Sequence, residues 1–182
     1  MSKEPVRRLN WGCGRDSRPG WINSDRRRVP GVDLVGDIRD GLALEAESID
    51  YAVSIHALHA LSYPEVVPAL QELRRVLKPG GVLRLVLADL HKAIDAFRAG
   101  NRDYFPIPDD DATQLSSKLA LYLTWYGYTR TIFTPDFAEE LLRKAGFNSV
   151  ARCQFKTTSS RWPEIVEPDN REQESFYIEA TK

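Results

Sequence analysis

The chain lacks most of what would place it outside the cell, in a membrane or around a metal. It has only two cysteines, Cys13 and Cys153, in 182 residues, so it has no disulfide framework and no cysteine-based metal-ligand spacing. No apolar run approaches the ~20 residues of a membrane helix. The leading Met1-Ser2-Lys3-Glu4-Pro5 has no apolar core of a signal peptide. The expectation is a reduced, cytoplasmic protein with no membrane partner. An excess of one charge is also missing. The formal net charge is -1, and the basic run Arg26-Arg27-Arg28 is too short to suggest nucleic acid. There is no internal repeat. A length of 182 residues suits a single domain, 1–182, with a sizeable core.

What is present is an alternation of strand and helix patterns, which predicts an α/β fold with a mostly parallel, Rossmann-like sheet. Strands are expected at Val6–Asn10, Trp21–Ser24, Val32–Val35, Tyr51–Ile55 and Val82–Ala88. Val66, Leu70, Leu73 and Leu77 recur at helical spacing over Tyr63–Leu77. Ser62 and Glu65 read as a capping box, Pro68 predicts a bend or a later start, and Lys78-Pro79-Gly80-Gly81 a stop. Further helices are expected at Leu90–Ala99, at 112–126 and from Thr134, an N-cap followed by Pro135. Ser149–Phe155 and Ser175–Ala180 have no helix between them and predict a closing antiparallel hairpin. Six residues, Arg26 to Gly31, join the second and third strands, too few for a crossover helix. With the helices after the first two strands reduced, one sheet face needs cover. The aromatic-rich segment 115–133 or a second subunit of a homodimer is expected to supply it.

The chemistry concentrates at strand ends, where open α/β sheets bind ligands. The first strand runs into Gly12-Cys13-Gly14, a turn through which backbone can approach a ligand. Asp25 ends the second strand and can accept from both hydroxyls of a ribose. Asp37 ends the third and can accept from an adenine amino group, with Ile38 packing on the ring. Together they indicate a nucleoside site. A dinucleotide is disfavoured: the third glycine of Gly-x-Gly-x-x-Gly would fall at Ser17, Pro19-Gly20 breaks any following helix, and Asp25 comes 11 residues after Gly14 rather than about 20.

Leu9-Asn10-Trp11-Gly12-Cys13-Gly14 followed by Pro19-Gly20-Trp21-Ile22-Asn23-Ser24-Asp25 resembles a small subfamily of class I S-adenosylmethionine-dependent methyltransferases. Gly36-Asp37-Ile38-Arg39-Asp40, Ser54-Ile55-His56-Ala57-Leu58, Leu77-Lys78-Pro79-Gly80-Gly81 and the tail from Asp169 to Ala180 are similar too. The resemblance implies a seven-stranded sheet and S-adenosylmethionine as cofactor. It assigns Asn10, Trp11, Gly12, Cys13 and Gly14 to its methionine part, Asp25 to the ribose, and Asp37 and Ile38 to the adenine. It sets His56 beside the methyl group. Asp16 interrupts the fuller glycine pattern of many relatives, and His59-Ala60 stands where relatives often have Glu-His.

The expected function is methyl transfer to a small-molecule or saccharide acceptor, on N or O. His56 and His59 are the candidate bases, with His91 behind them. Tyr122, Trp125, Tyr126, Tyr128 and Phe133 either fill the core or belong to a lid insertion over 101–134. The alternative is a catalytically inactive methyltransferase-like binding or scaffold protein. A nicotinamide oxidoreductase is disfavoured by the glycine pattern, and a nucleic-acid methyltransferase by the neutral charge.

Overall fold

The structure is a computed structural model and describes residues 5–182; Met1–Glu4, part of the N-terminal stretch read above, lie outside the described residues. The strands are β1 (Arg8–Trp11), β2 (Ile22–Asp25), β3 (Leu34–Val35), β4 (Ile49–Ile55), β5 (Leu77–Ala88), β6 (Ser149–Cys153) and β7 (Ser175–Thr181). The helices are α1 (Tyr63–Val76), α2 (Leu90–Arg98), α3 (Leu115–Thr124) and α4 (Pro135–Lys144). The seven-stranded sheet has the order β3-β2-β1-β4-β5-β7-β6. β7 runs antiparallel to both neighbours, and the remaining pairs are parallel. The chain moves outward from β1 to β3 and returns to β4, so the strand order reverses between β1 and β4.

Local chemistry explains the helix boundaries. The Glu65 carboxylate accepts from the N–H and hydroxyl of Ser62, closing the first turn of α1. Thr134 accepts from Phe137 N–H and Pro135 opens α4. The bend or late start expected at Pro68 does not occur: α1 begins at Tyr63 and runs through it. Pro68 is exposed, so the carbonyl of Pro64 that loses its partner sits in an exposed turn where water can satisfy it. Lys78–Gly81 ends the helix but belongs to β5, which starts at Leu77, five residues earlier than expected. These residues form a bulge between the pairs Ile49–Leu77 and Tyr51–Val82. Gly81 is required there, because a Cβ would lie 2.8 Å from the Lys78 carbonyl and 3.1 Å from that of Asp50.

No helix joins β1 to β2 or β2 to β3. One sheet face is covered by α1 and α4, packed on Leu9, Ala52, Leu83, Leu85, Ile178 and Ala180. The other is not covered by residues 115–133, the segment of this chain expected to supply it. The connection from β6 to β7 lies across it, with Trp162 and Ile165 packing on Trp21, Tyr51, Val53 and Val82. Trp21 meets Tyr51 edge-on at 5.3 Å, and Trp162 lies 5.6 Å from Tyr51 on its other side. The expectation failed because a 21-residue connection with few regular elements carries no periodic signal. Residues 115–123 build a separate cluster with α2 around Ala93, Ala96, Phe105 and Ile107, and Phe133 packs in the main core.

A buried ion cluster fixes that connection. Arg84, in the middle of β5, is fully buried. Its Nε and Nη2 donate to Asp169 at 2.9 and 2.6 Å, and its Nη1 donates to Glu179 at 2.6 Å. The remaining N–H groups reach the carbonyls of Thr157 and Gln154, both at 3.1 Å. All five guanidinium donors are satisfied. Burial works against the charge of Arg84, but Asp169 and Glu179 outweigh it and hold the group protonated. Asp169→Ala is expected to cost about 3–5 kcal/mol, the range for breaking a buried pair on one side. Limited proteolysis should then cut between residues 154 and 170, while urea denaturation reads the loss.

Candidate functional site

The turn after β1 is held from below and from the side. The N–H groups of Gly12 and Cys13 both donate to the Ser24 carbonyl, at 2.8 and 3.0 Å. Gly12 and Gly14 have φ of +69° and +56°, which an L side chain rarely adopts. At Gly12 a Cβ would also stand 2.2 Å from the methyl of Ala57, so the turn rests directly on the loop after β4. Asp25, at the tip of β2, accepts from Gly14 N–H at 2.9 Å on one oxygen and from Arg27 N–H at 2.8 Å on the other. The Arg27 Nε also donates to that second oxygen at 3.4 Å, so the capacity left toward a ligand lies on the oxygen that meets Gly14 N–H.

Three side chains assigned to the methionine part face inward instead. Asn10 is buried, donating to the Asp16 carbonyl at 2.9 Å and to Asn23 at 3.2 Å. Trp11 packs in the main core. Cys13 is buried, and its thiol is pushed up to about 11, first by burial and then by Asp25. These residues build the turn and can offer a ligand only backbone or an edge. Ile38 is committed to the core as well; its apolar side chain was expected on the adenine, but core burial claims it first. Asp37 is gripped by Arg39 Nε and Nη2 at 2.9 and 2.5 Å, which holds its carboxyl below the ordinary range. An amino group arriving there would share that carboxylate with Arg39.

Beyond β4 and β5 lies a cavity of about 460 Å³ with His56 and His59 in its wall. His56 has φ of +51°, unusual for a residue with a Cβ. Its N–H donates to the Val86 carbonyl at 2.9 Å, and its Nε2 lies 2.7 Å from Ser175 Oγ. Burial, then the charge of Arg171, lowers its pKa to about 4. His59 is lowered to about 3, by burial first and by His56 next. Both rings are therefore neutral at pH 7. The Nε2 of His59 accepts from Ala88 N–H at 3.2 Å, so the neutral ring carries its proton on Nδ1. His59 thus has no free lone pair, and its expected role as a base is corrected to that of a donor. His91 is exposed and does not line the cavity.

The aromatic residues of this segment separate: Tyr122 and Trp125 line the cavity, whereas Phe133 is buried in the main core. Trp125 and Tyr126 are left-handed, at φ of +42° and +55°. Sequence reasoning passed over Asp89, Tyr104, Arg171 and Ser175. Asp89 directly follows β5, as Asp25 ends β2, and that signal was readable. Tyr104 and Arg171 sit in stretches without periodicity. The glycine turn and Asp37 do not border the cavity; His56 and Ala57 form the join between the two halves.

Residues 9–85 match the family model of a methyltransferase domain. A probable phthiotriol/phenolphthiotriol dimycocerosates methyltransferase 2 of Mycobacterium ulcerans is 39% identical over 68 residues, 36% of this chain and 26% of its own length. The phthiotriol/phenolphthiotriol dimycocerosates methyltransferase of Mycobacterium leprae is 37% identical over 79 residues, 42% of this chain and 28% of its own length. The matches thus span about a quarter of the length of these curated relatives. Among solved structures, a Thermotoga maritima protein described as a SAM-dependent methyltransferase, possible histamine N-methyltransferase, aligns over 99% of this chain and 84% of its own. Its TM-score is 0.61 at 20% identity. A SAM-dependent methyltransferase from Archaeoglobus fulgidus aligns over 99% of this chain and 87% of its own, with a TM-score of 0.62 at 13% identity. The chain has the Rossmann-like fold of these methyltransferases.

The buried neutral histidines set a pH dependence. Unfolded histidines take up protons near pH 6.5, whereas His56 and His59 resist until about 4 and 3. The unfolded state therefore binds more protons in that window, and stability falls as pH drops from about 6.5. Urea midpoints between pH 6.5 and 5 should decline with a slope approaching two protons. His56→Gln should reduce the slope by about one.

Proposed function

We propose that the protein transfers a methyl group from S-adenosylmethionine to a small molecule bound in the cavity beyond β4 and β5. The observation that carries this reading is Asp25, a buried carboxylate with one oxygen still able to accept, beside the left-handed Gly12–Gly14 turn. The residues fit this cofactor better than a dinucleotide. They offer carboxylates for a diol and an amine, and no helix opens after β1 to receive a pyrophosphate. When bound, S-adenosylmethionine supplies a sulfonium methyl carbon whose C–S bonding pair leaves with sulfur as the acceptor lone pair forms the new bond.

In this reading Asp25 fixes the ribose, and the backbone of 12–14 follows the amino-acid part. The contact of Gly12 with Ala57 then sets the distance from that part to His56 and so to the acceptor. His56 keeps Nε2 against Ser175, and when Nε2 donates to that hydroxyl the ring's lone pair is on Nδ1. A proton released by the acceptor passes to the lone pair of the neutral His56 ring. Its lowered pKa lets it hand that proton on quickly to water. Residues 101–134 form the lid that excludes water around the reacting atoms. A volume of about 460 Å³ suits a small metabolite or a single sugar.

Titration calorimetry with S-adenosylhomocysteine tests the reading, with NADH for comparison. Micromolar binding is expected for S-adenosylhomocysteine and none for NADH. Asp25→Ala should weaken binding by about 10- to 100-fold, the worth of one charge-assisted hydrogen bond or more. A folded protein that binds no S-adenosylhomocysteine would sink this function and leave the scaffold alternative.

A further inference from the structure

We propose that the acceptor is an amine, carried into the cavity as its ammonium form, and that Asp89 is the residue that holds it. The inference rests on the methyl-acceptor reading above and names the class of that acceptor.

Five carboxylates are buried among the described residues: Asp25, Asp50, Asp89, Asp169 and Glu179. Four of them meet a cation. Arg27 lies 3.4 Å from Asp25, Lys78 3.0 Å from Asp50, and Arg84 2.6 Å from both Asp169 and Glu179. Asp89 is the exception, with no ion-pair partner among the described residues. A buried charge without a partner is costly, and this one stands in the wall of the cavity.

The Oδ1 of Asp89 accepts from His91 N–H at 2.9 Å and so caps α2. The helix dipole favours a negative charge at that end, but a cap does not require one, since Asn or Ser serves as well. Oδ2 has no hydrogen-bond partner among the described residues, and it is not one of the unpartnered atoms closed off from solvent. It is therefore the part of this side chain that is open to the cavity.

The surroundings agree in sign. The N–H of Asp89 donates to the Glu174 carbonyl at 2.8 Å, which sets the two acidic residues side by side where β5 ends and β7 begins. Both charges act on the Tyr104 hydroxyl, so they reach one region of the cavity. Asp103 adds a third carboxylate. Against these stands the guanidinium of Arg171, which is exposed and lies 3.4 Å from Glu174. His56 and His59 are neutral at pH 7 and add no positive charge. Tyr104, Tyr122 and Trp125 line the same cavity, and aromatic rings attract a cation. A hydroxyl acceptor would leave the charge of Asp89 unpaired, whereas an ammonium pairs it and donates to Oδ2. One proton then leaves the ammonium for the neutral His56 ring and water. The freed nitrogen lone pair forms the N–C bond as the C–S pair leaves with sulfur.

Benzylamine, benzyl alcohol and benzoate are similar in size and differ in charge. Calorimetry at pH 7 is run on protein saturated with S-adenosylhomocysteine and again without it. Benzylamine should bind at least about tenfold more tightly than benzyl alcohol, with benzoate weakest. Asp89→Asn keeps an oxygen for the α2 cap and removes the charge. Its melting temperature should stay close to that of the native chain, while the preference for benzylamine drops below about threefold. Asp89→Ser, which also caps, should behave the same way. Equal binding of benzylamine and benzyl alcohol, binding of none of the three, or a preference for benzoate would overturn the inference. So would a preference that survives both variants. A loss of S-adenosylhomocysteine binding in the variants would assign Asp89 to the cofactor and overturn it too. Failure of the native chain to bind S-adenosylhomocysteine counts against the methyltransferase reading alone, because the charge preference is also scored without it.

Discussion

A guanidinium buried in the middle of an apolar strand is the constraint on which the site depends. Arg84 pairs across the sheet with Glu179 on β7 and outward with Asp169 on the β6–β7 connection. Replacing such a cluster by apolar side chains often raises stability, so its contribution here is better sought in what it positions. It draws Asp169 onto the sheet, and the chain from there to Ser175 has little freedom. Arg171 and Glu174 are thereby set at the cavity and Ser175 against His56. The same ions close the face that absent helices leave bare and supply one wall of the site. Cover and function share one connection.

The second coupling runs through contact between two turns. Gly12 and Ala57 leave no room for a methylene between them, so the β1 turn and the β4 loop keep a fixed separation. The loop in turn holds His56 in a left-handed conformation, with its N–H on Val86. Strain of this kind persists where surrounding contacts over-determine it. On the far side of α1, Glu65 joins Ser62, Arg39 and Arg130. Arg39 grips Asp37, and the N–H of Arg130 donates to the His59 carbonyl. These surface pairs are individually worth little. They do show how close the third strand's end lies to the segment that carries Arg130.

The periodic parts of the fold were legible, since the α/β alternation, the glycine turn, the Thr134 cap and the antiparallel closing pair each carry a local signal. The misread parts involve long-range chemistry. Arg84 reads as an interruption in an apolar strand until Asp169 and Glu179 come alongside it from 85 and 95 residues away. Lys78–Gly81 reads as a stop because glycine and proline mark both loops and bulges, and only the paired strand distinguishes them. At the site, residue types located the turn and the strand-end carboxylates. They could not tell which way Trp11, Asn10 and Ile38 point. An apolar or amide side chain beside a ligand turn serves the core equally well, and here the core takes all three. The lining of the cavity was least legible, because Tyr104 and Arg171 reach it from irregular chain.

The cavity is costly to keep, which separates it from ordinary packing. Two histidines are held neutral by burial, at pKa values of about 4 and 3, and both penalise folding in mild acid. Tyr104 and Tyr122 bury their hydroxyls beside each other, and burial raises both phenols. Trp125 and Tyr126 take left-handed conformations at the top of the same void. Each feature is unfavourable in the empty protein, and each has an apolar or glycine substitute that would relieve it. Penalties scattered over a molecule are the background of any fold. Concentrated around one void that adjoins a strand-order reversal, they describe a surface complementary to something else.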